Sequence, residues 1–304
     1  MSCHDQPWAR ALRTWTASRC SKSRRKALTA RNPTLGSRSP AAVARSVTSV
    51  MMSTYVDNRQ VSTRVDTYGW TVKIETAEQG APGRVTEDRI RVLPNAVVVL
   101  DGVTSRRPPD RNGGWYATQL ADELARLITD ADPLTDLLAQ AISNLVRRHG
   151  LVPGDSPSAT AAIVRWTDTS IDALVLCDTP VVAFGQSTHV LEDTRLADLR
   201  PDPDILRWRN EPGGYWVAEA EPVAAQHALT ASWPRAEIGK VIAATDGVSC
   251  GVSEYGLFSW EDLAEMPLGD ALDRIREAER GDSAHKRWPR HKTHDDQAVA
   301  RISL

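Results

Sequence analysis

From residue 68 onward the apolar residues recur in turn at strand spacing and at helix spacing, with no internal repeat. "GWTVKIETA" alternates as a strand, and "VLPNAVVVL" reads as a second, apolar enough to be fully buried. "WYATQLADELARLITDA" sets Leu120, Leu124, Leu127 and Ile128 on one helical face. "PLTDLLAQAISNLVRRHG" predicts the next helix, with Arg147, Arg148 and His149 near its C-terminus and Gly150 beyond. Short strands follow in "ATAAIVRW", "IDALVLC", "PVVAFG" and "HVLED". The polar "TRLADLRPDPDILRWRNEPGG" mixes helix and loop, "YWVAEA" reads as a strand segment, and "PVAAQHALTA" as a short helix opened by proline. "KVIAATDG" is a buried strand, "SWEDLAEM" and "LGDALDRIREAERGD" are helices, and "QAVARIS" is the last strand. Two helices, a strand meander, two more helices and a returning strand predict an α+β domain of packed sheets flanked by helices. The order lacks the strict strand–helix alternation of a doubly wound parallel sheet.

Composition changes this picture only at the N-terminus. At 41% apolar and 25% charged the 304-residue chain is ordinary for a soluble globular protein. Residues 1–50 differ: ten Lys/Arg against the single acid Asp5 give +9, which leaves the remainder near −11. That stretch is rich in Ser, Ala and Pro and has no sustained apolar face, so we read residues 1–60 as a disordered basic segment and 61–304 as the folded domain. A targeting peptide or a nucleic-acid arm has such a composition, but the late onset of the folded pattern favours Met51 or Met52 as the biological start. No apolar stretch approaches the roughly 20 residues of a spanning helix. The four cysteines show neither zinc-knuckle nor disulfide-framework spacing. A cytoplasmic protein that binds neither membrane nor nucleic acid is the expectation; the oligomeric state is left open.

The chemistry lies in the acids. Two apolar runs stop abruptly in Asp-Gly, at Asp101-Gly102 and Asp246-Gly247, a pair that suits turns. Further acids sit at or beside other strand ends: Glu87 and Asp88, Asp178, and Asp295 with Asp296. Carboxylates dispersed in sequence but all placed at strand mouths can converge in one cleft, where their repulsion calls for hard divalent cations. With few His or Cys residues nearby, the donor set suits Mg²⁺ or Mn²⁺ better than zinc. Nucleotide-binding glycine loops are absent, and Val99 stands where a dehalogenase-type phosphatase needs its first aspartate.

The ordered series "TEDR", "VVLDG", "GG" before a helix, "SPSATAAIV", "LVLCDT", "IAATDGVS" and "HDDQAV" resembles the PP2C-type, metal-dependent Ser/Thr protein phosphatases over roughly residues 68–304. The resemblance implies an α-β-β-α sandwich, two antiparallel sheets with helix pairs outside. It also implies a centre of two Mn²⁺ or Mg²⁺ ions that activates a bridging water for attack on a phosphomonoester. By position, Asp101 would be the central catalytic acid bridging both metals, with the Gly102 carbonyl as a further ligand. Asp246 and Asp295 would hold one metal; Glu87 and Asp88 would support the other. Ser158, Ala159 and Thr160 fall on a small-residue segment assigned to packing.

Several positions depart from the pattern. Arg84, the candidate phosphate clamp, lies three residues before Glu87 where the family has four, and Arg106 or Arg107 in the basic loop "VTSRRPPDRNGG" are substitutes. Cys250 replaces an acid of a third metal site, so two ions are expected. The leading expectation is therefore a signalling hydrolase acting on phosphorylated protein. A catalytically weak PP2C-like binding module and a small-molecule phosphomonoesterase are the alternatives. The tryptophans Trp115, Trp208, Trp216, Trp233 and Trp260 read as packing anchors, Cys177 as a small buried hydrophobe, and "HKRWPRHK" as a solvated loop. His294 is the one histidine with a claim to the site.

Overall fold

The computed structural model describes residues 51–57, 60–67, 69–103 and 111–304. Residues 1–50 and the substitutes Arg106 and Arg107 lie outside the described residues. Among the described residues twelve strands form two antiparallel sheets. The larger has seven strands in the order β1-β2-β3-β12-β11-β8-β9: Met51–Asp57, Gln60–Thr67, Trp70–Gln79, Gln297–Ser303, Ile238–Ala244, Val181–Gly185 and Thr188–Leu191. The smaller has five in the order β10-β7-β6-β5-β4: Leu229–Pro234, Ser170–Leu176, Ala161–Trp166, Ala96–Leu100 and Arg89–Val92.

The period-2 geometry of a strand explains why "AVVVL" is apolar throughout. In β5, Val97 and Val99 point into the core between the sheets, with Val164 and Trp166 of β6, Val241 and Ala243 of β11 and Ile302 of β12. Val98 and Leu100 point the other way, into a layer closed by helices α1 (Gly113–Leu127) and α2 (Leu134–His149). A strand covered on both faces has no position left for a polar side chain. Across the larger sheet, Ile242, Ala244 and Val299 meet Val248 of α4 (Asp246–Ser253), Leu263 of α5 (Trp260–Glu265) and Leu272 and Ile275 of α6 (Leu268–Gly281). The expected sandwich of two sheets between helical layers is what the chain forms. Among the described residues no helix is long and apolar enough to cross a membrane.

Four local readings change. "VLPNAVVVL" is two strands, β4 and β5, reversing at Leu93–Asn95 where the Leu93 N–H reaches the Ala96 carbonyl at 2.8 Å. "YWVAEA" makes isolated bridges, Ala159 to Ala218 and Arg209 to Tyr215, and fills the space below α2 as irregular buried chain. The short helix begun at Pro222 stops as a 3-10 turn at His227, and the edge strand β10 follows, its side chains alternating between half-buried and exposed. Finally, β1 and β2 precede the expected onset of the fold, and β1 lies in the stretch read as disordered. Met52, Ser53 and Thr54 of this edge strand are exposed, so its polar composition mimics that of unfolded chain.

The two-sided burial of the inner strands fixes where stability resides. Ile163→Ala, which empties a fully buried position under α1 and α2, is expected to cost about 2–5 kcal/mol in urea denaturation. Val85→Ala at an 85% exposed site should change stability by no more than about 0.5 kcal/mol.

Candidate metal centre

Antiparallel pairing brings the acid-bearing strand ends to one end of the sandwich. Leu100 of β5 pairs with Arg89 of β4, which sets Asp101 beside Glu87 and Asp88. Ala244 of β11 pairs with Val299 of β12, which sets Asp246 beside Asp295. The two sheets are tied there by Thr245, whose hydroxyl donates to Asp88 Oδ2 at 2.9 Å and accepts the Ala298 N–H at 3.0 Å. Asp101 is fixed through its backbone: its carbonyl accepts the Thr160 N–H at 2.9 Å and its N–H meets the Thr160 hydroxyl at 3.3 Å. The small-residue segment thus holds the Asp101 backbone as well as packing the core.

The glycines of both Asp-Gly pairs serve close approach. Neither Gly102 nor Gly247 is among the glycines with positive φ, so the turn argument made from sequence does not apply. A Cβ on Gly102 would lie 2.6 Å from the Glu87 carbonyl and from the backbone of Gly113. On Gly247 it would lie 1.8 Å from the Asp296 carbonyl oxygen. On Gly114 it would press at 3.0–3.3 Å on Cα, Cβ and Cγ of Glu87. The start of α1 and the start of α4 therefore reach the acid-bearing segments only because these positions lack side chains.

Asp296 has a different task from its neighbour. Its Oδ1 accepts the Ala81 N–H at 2.8 Å and its Oδ2 the Glu87 N–H at 2.7 Å, so it folds the 80–87 segment over the site. Arg276 of α6, buried and paired with Glu279 at 2.8 Å, donates to the carbonyls of Asp295 at 2.9 Å and Gly80 at 3.4 Å. His294 turns toward this frame: its Nδ1 lies 2.8 Å from Glu279. Cys177 has left-handed φ of 68° and gives its N–H to Asp193 at 3.2 Å immediately before Asp178. It is buried with Tyr215 and Val217, as read from sequence.

Electrostatics register the convergence. Burial, then the charges of Asp88, Asp246, Asp295 and Asp178, push the Asp101 carboxyl well above the usual carboxylate range. Burial likewise raises Asp88, with Asp296, Asp246 and Asp295 adding to it and Thr245 opposing. Burial followed by Asp178 and Asp295 raises Asp246 to about 7. Glu87 is buried with Oε2 lacking any hydrogen-bond partner. Among the described residues no group of three or more His, Cys, Asp or Glu side chains stands where it could hold a metal ion. The donor set nevertheless fits a hard cation: oxygen ligands only, mutually repelling, with one buried oxygen unpaired.

Arg84 is exposed, in a turn where its N–H reaches the Ala81 carbonyl at 3.0 Å, and among the described residues its side chain pairs with none of these acids. Two cations that sequence reasoning passed over stand closer. Arg200, following the short helix α3 (Arg195–Leu199), lies 3.6 Å from Asp178 and 2.9 Å from Glu254. Lys292 lies 2.9 Å from Asp295.

No protein-family profile and no curated sequence relative matches the chain. Solved structures do. The Mycobacterium tuberculosis serine/threonine phosphatase PstP/Ppp is 16% identical with a TM-score of 0.51, covering 77% of this chain and 98% of that one. The catalytic domain of PstP in complex with two manganese ions is 14% identical at TM-score 0.51, covering 76% and 97%. The PPM Ser-Thr phosphatase MsPP from Mycobacterium smegmatis, in complex with cacodylate, is 18% identical at 0.50, covering 76% and 97%. At such identities the likeness is one of fold: this chain has the fold of the PP2C/PPM phosphatases.

Two outcomes test the geometry. Gly247→Ala is expected to destabilise by about 2–4 kcal/mol or to prevent folding, because backbone, not a movable side chain, occupies the space. The native state of the metal-free protein binds the Asp246 proton more tightly than the unfolded chain, about 7 against 3.8. The stability this contributes is complete below about pH 4 and lost as pH rises through about 7. Metal-free protein should therefore lose roughly 1–3 kcal/mol between pH 5 and pH 8 in chemical denaturation. Asp246→Asn should flatten that slope.

Proposed function

We propose that the chain is a cytoplasmic, divalent-cation-dependent phosphatase that hydrolyses phosphoserine or phosphothreonine on protein substrates. The observation that carries this reading is the meeting of Asp88, Asp101, Asp246 and Asp295 at one end of the sandwich, where burial and mutual repulsion hold the first three protonated more firmly than free carboxylates. The PP2C/PPM fold supports it as well.

In this reading Asp101, with the Gly102 carbonyl, would be the central acid of a site for two Mn²⁺ or Mg²⁺ ions. Asp246 and Asp295 would hold one, and Glu87 and Asp88 would support the other. Such ions supply a lowered pKa for bound water and positive charge for the phosphoryl oxygens. The chain's own work is to keep the acids fixed. Thr245 orients Asp88, Thr160 holds the backbone of Asp101, Asp296 orders the Glu87 segment, and Arg276 pins Asp295. Arg84, exposed three residues before Glu87, is the cation we assign to the incoming phosphate. Asp178 is paired with Arg200 at 3.6 Å and Cys250 offers no carboxylate, so this reading takes two ions.

The absence of a finished cage among the described residues favours, as a second reading, a PP2C-like binding module without turnover. Hydrolysis of p-nitrophenyl phosphate and of a phosphothreonine peptide separates the two. With Mn²⁺ the protein is expected to turn over both, EDTA should abolish turnover, and Asp101→Asn should lower kcat by about 10³-fold or more. Arg84→Ala should raise KM for the peptide by about 10-fold. No turnover by folded, Mn²⁺-loaded protein would move the assignment to the binding module.

A further inference from the structure

The acid cluster carries its own cation at the Asp295 end. The Lys292 ammonium lies 2.9 Å from one carboxylate oxygen of Asp295 and 3.1 Å from the other. The charges of Asp101 and Asp246 also act on it, after that of Asp295.

Lys292 is delivered there by an anchored loop. Asp282, just past α6, accepts the backbone N–H groups of Lys286, Arg287 and Trp288 at 2.9, 3.1 and 3.1 Å. Arg290 then bonds the Asp282 carboxylate at 2.9 Å and the carbonyls of Glu279 at 3.1 Å and Trp288 at 3.0 Å. The Tyr255 and Trp288 rings pack with centroids 4.7 Å apart. The basic stretch "HKRWPRHK", which reads as a merely solvated loop in sequence, is thereby folded back on itself and places one lysine on one acid.

We infer that Lys292 is a resident counter-cation which a divalent ion must displace from Asp295, so that this lysine sets the cation affinity of the centre. The inference rests on the assignment of Asp295 as a metal ligand under the proposed function. Both Asp295 oxygens are engaged by the ammonium, and a divalent ion needs at least one of them. Even after the ammonium swings away, it remains tethered three residues from the ligand and repels the incoming ion. The arrangement keeps the empty centre from bearing the full repulsion of its acids, at the expense of weaker loading.

Mn²⁺ titration of metal-stripped protein, with free Mn²⁺ read by electron paramagnetic resonance, tests this without recourse to activity. Lys292→Met, which keeps the aliphatic length and removes the charge, should tighten the Mn²⁺ Kd by about 5-fold or more. Lys292→Gln should do likewise, while Lys292→Arg should stay within about 2-fold of the native protein. The gain should shrink at 1 M salt, where the screening length falls to about 3 Å. If the native protein binds Mn²⁺ and the Met and Gln variants bind no tighter, the lysine inference falls alone. If native protein and Asp101→Asn alike take up no Mn²⁺ at millimolar concentration, the phosphatase reading falls and takes the inference with it.

Discussion

Repulsion among carboxylates at the end of a dry sandwich is the constraint to which the rest of this molecule answers. Two unit charges 4 Å apart repel by about 4 kcal/mol at an effective dielectric of 20, and here at least four acids share one region. A fold can hold such a group only if the backbones carrying it are fixed by interactions that do not depend on the acids themselves. The inter-sheet core supplies that rigidity: Val97, Val99, Val164, Trp166, Val241, Ala243 and Ile302 are fully buried between the sheets whose strands carry the acids. Sheet pairing then sets the spacing of the strand ends, and the acids are brought together as a by-product of register.

Most of this frame is legible in the sequence because it rests on period and volume. Runs such as "AVVVL" announce strands covered on both faces, and the helices of the outer layers show their apolar stripes plainly. The acids at the strand ends are legible too, since a carboxylate closing an apolar run has few other reasons to be there. What the sequence misassigns is the reason for the glycines. Asp-Gly reads as a turn because composition records propensity, whereas Gly102 and Gly247 answer to backbones arriving from more than ten and nearly fifty residues away. Close approach is a tertiary fact with no local signature. The edge strand β1 escapes notice for the opposite reason: an exposed strand needs little apolar surface, so its composition resembles that of a chain with no structure.

The cations show a further limit of sequence reading. Arg84 is near Glu87 in the chain, and proximity in sequence makes it the natural clamp, yet it lies exposed on its turn. Arg200 and Lys292 are far from any Asp-Gly pair in sequence, and each ends beside one acid of the cluster. Long basic side chains reach several ångströms from their backbone, so their contacts are decided by loop anchoring. For Lys292 the anchor is a single carboxylate, Asp282, receiving three backbone N–H groups and one guanidinium. Burial opposes that charge, and these bonds nonetheless hold the Asp282 carboxyl well below its usual range.

Behind the acids stands a second tier of charge whose purpose is geometric. Arg276 and Glu279 are each about 2% exposed and pair at 2.8 Å. A buried pair of this kind offers little net stability, because both ions have left water. Its value lies in the bonds left over: Arg276 reaches the carbonyls of Asp295 and Gly80, and Glu279 reaches His294. Those bonds tie the segment before β12 to the end of β3, while Asp296 ties the same segment to Ala81 and Glu87. An apolar pair of equal volume could fill the space and even raise stability, but it could not set the direction of two loops at once. The site thus divides its acids by what they face: Asp88, Asp101, Asp246 and Asp295 meet one another, whereas Asp296 and Glu279 meet donors and hold the others in place.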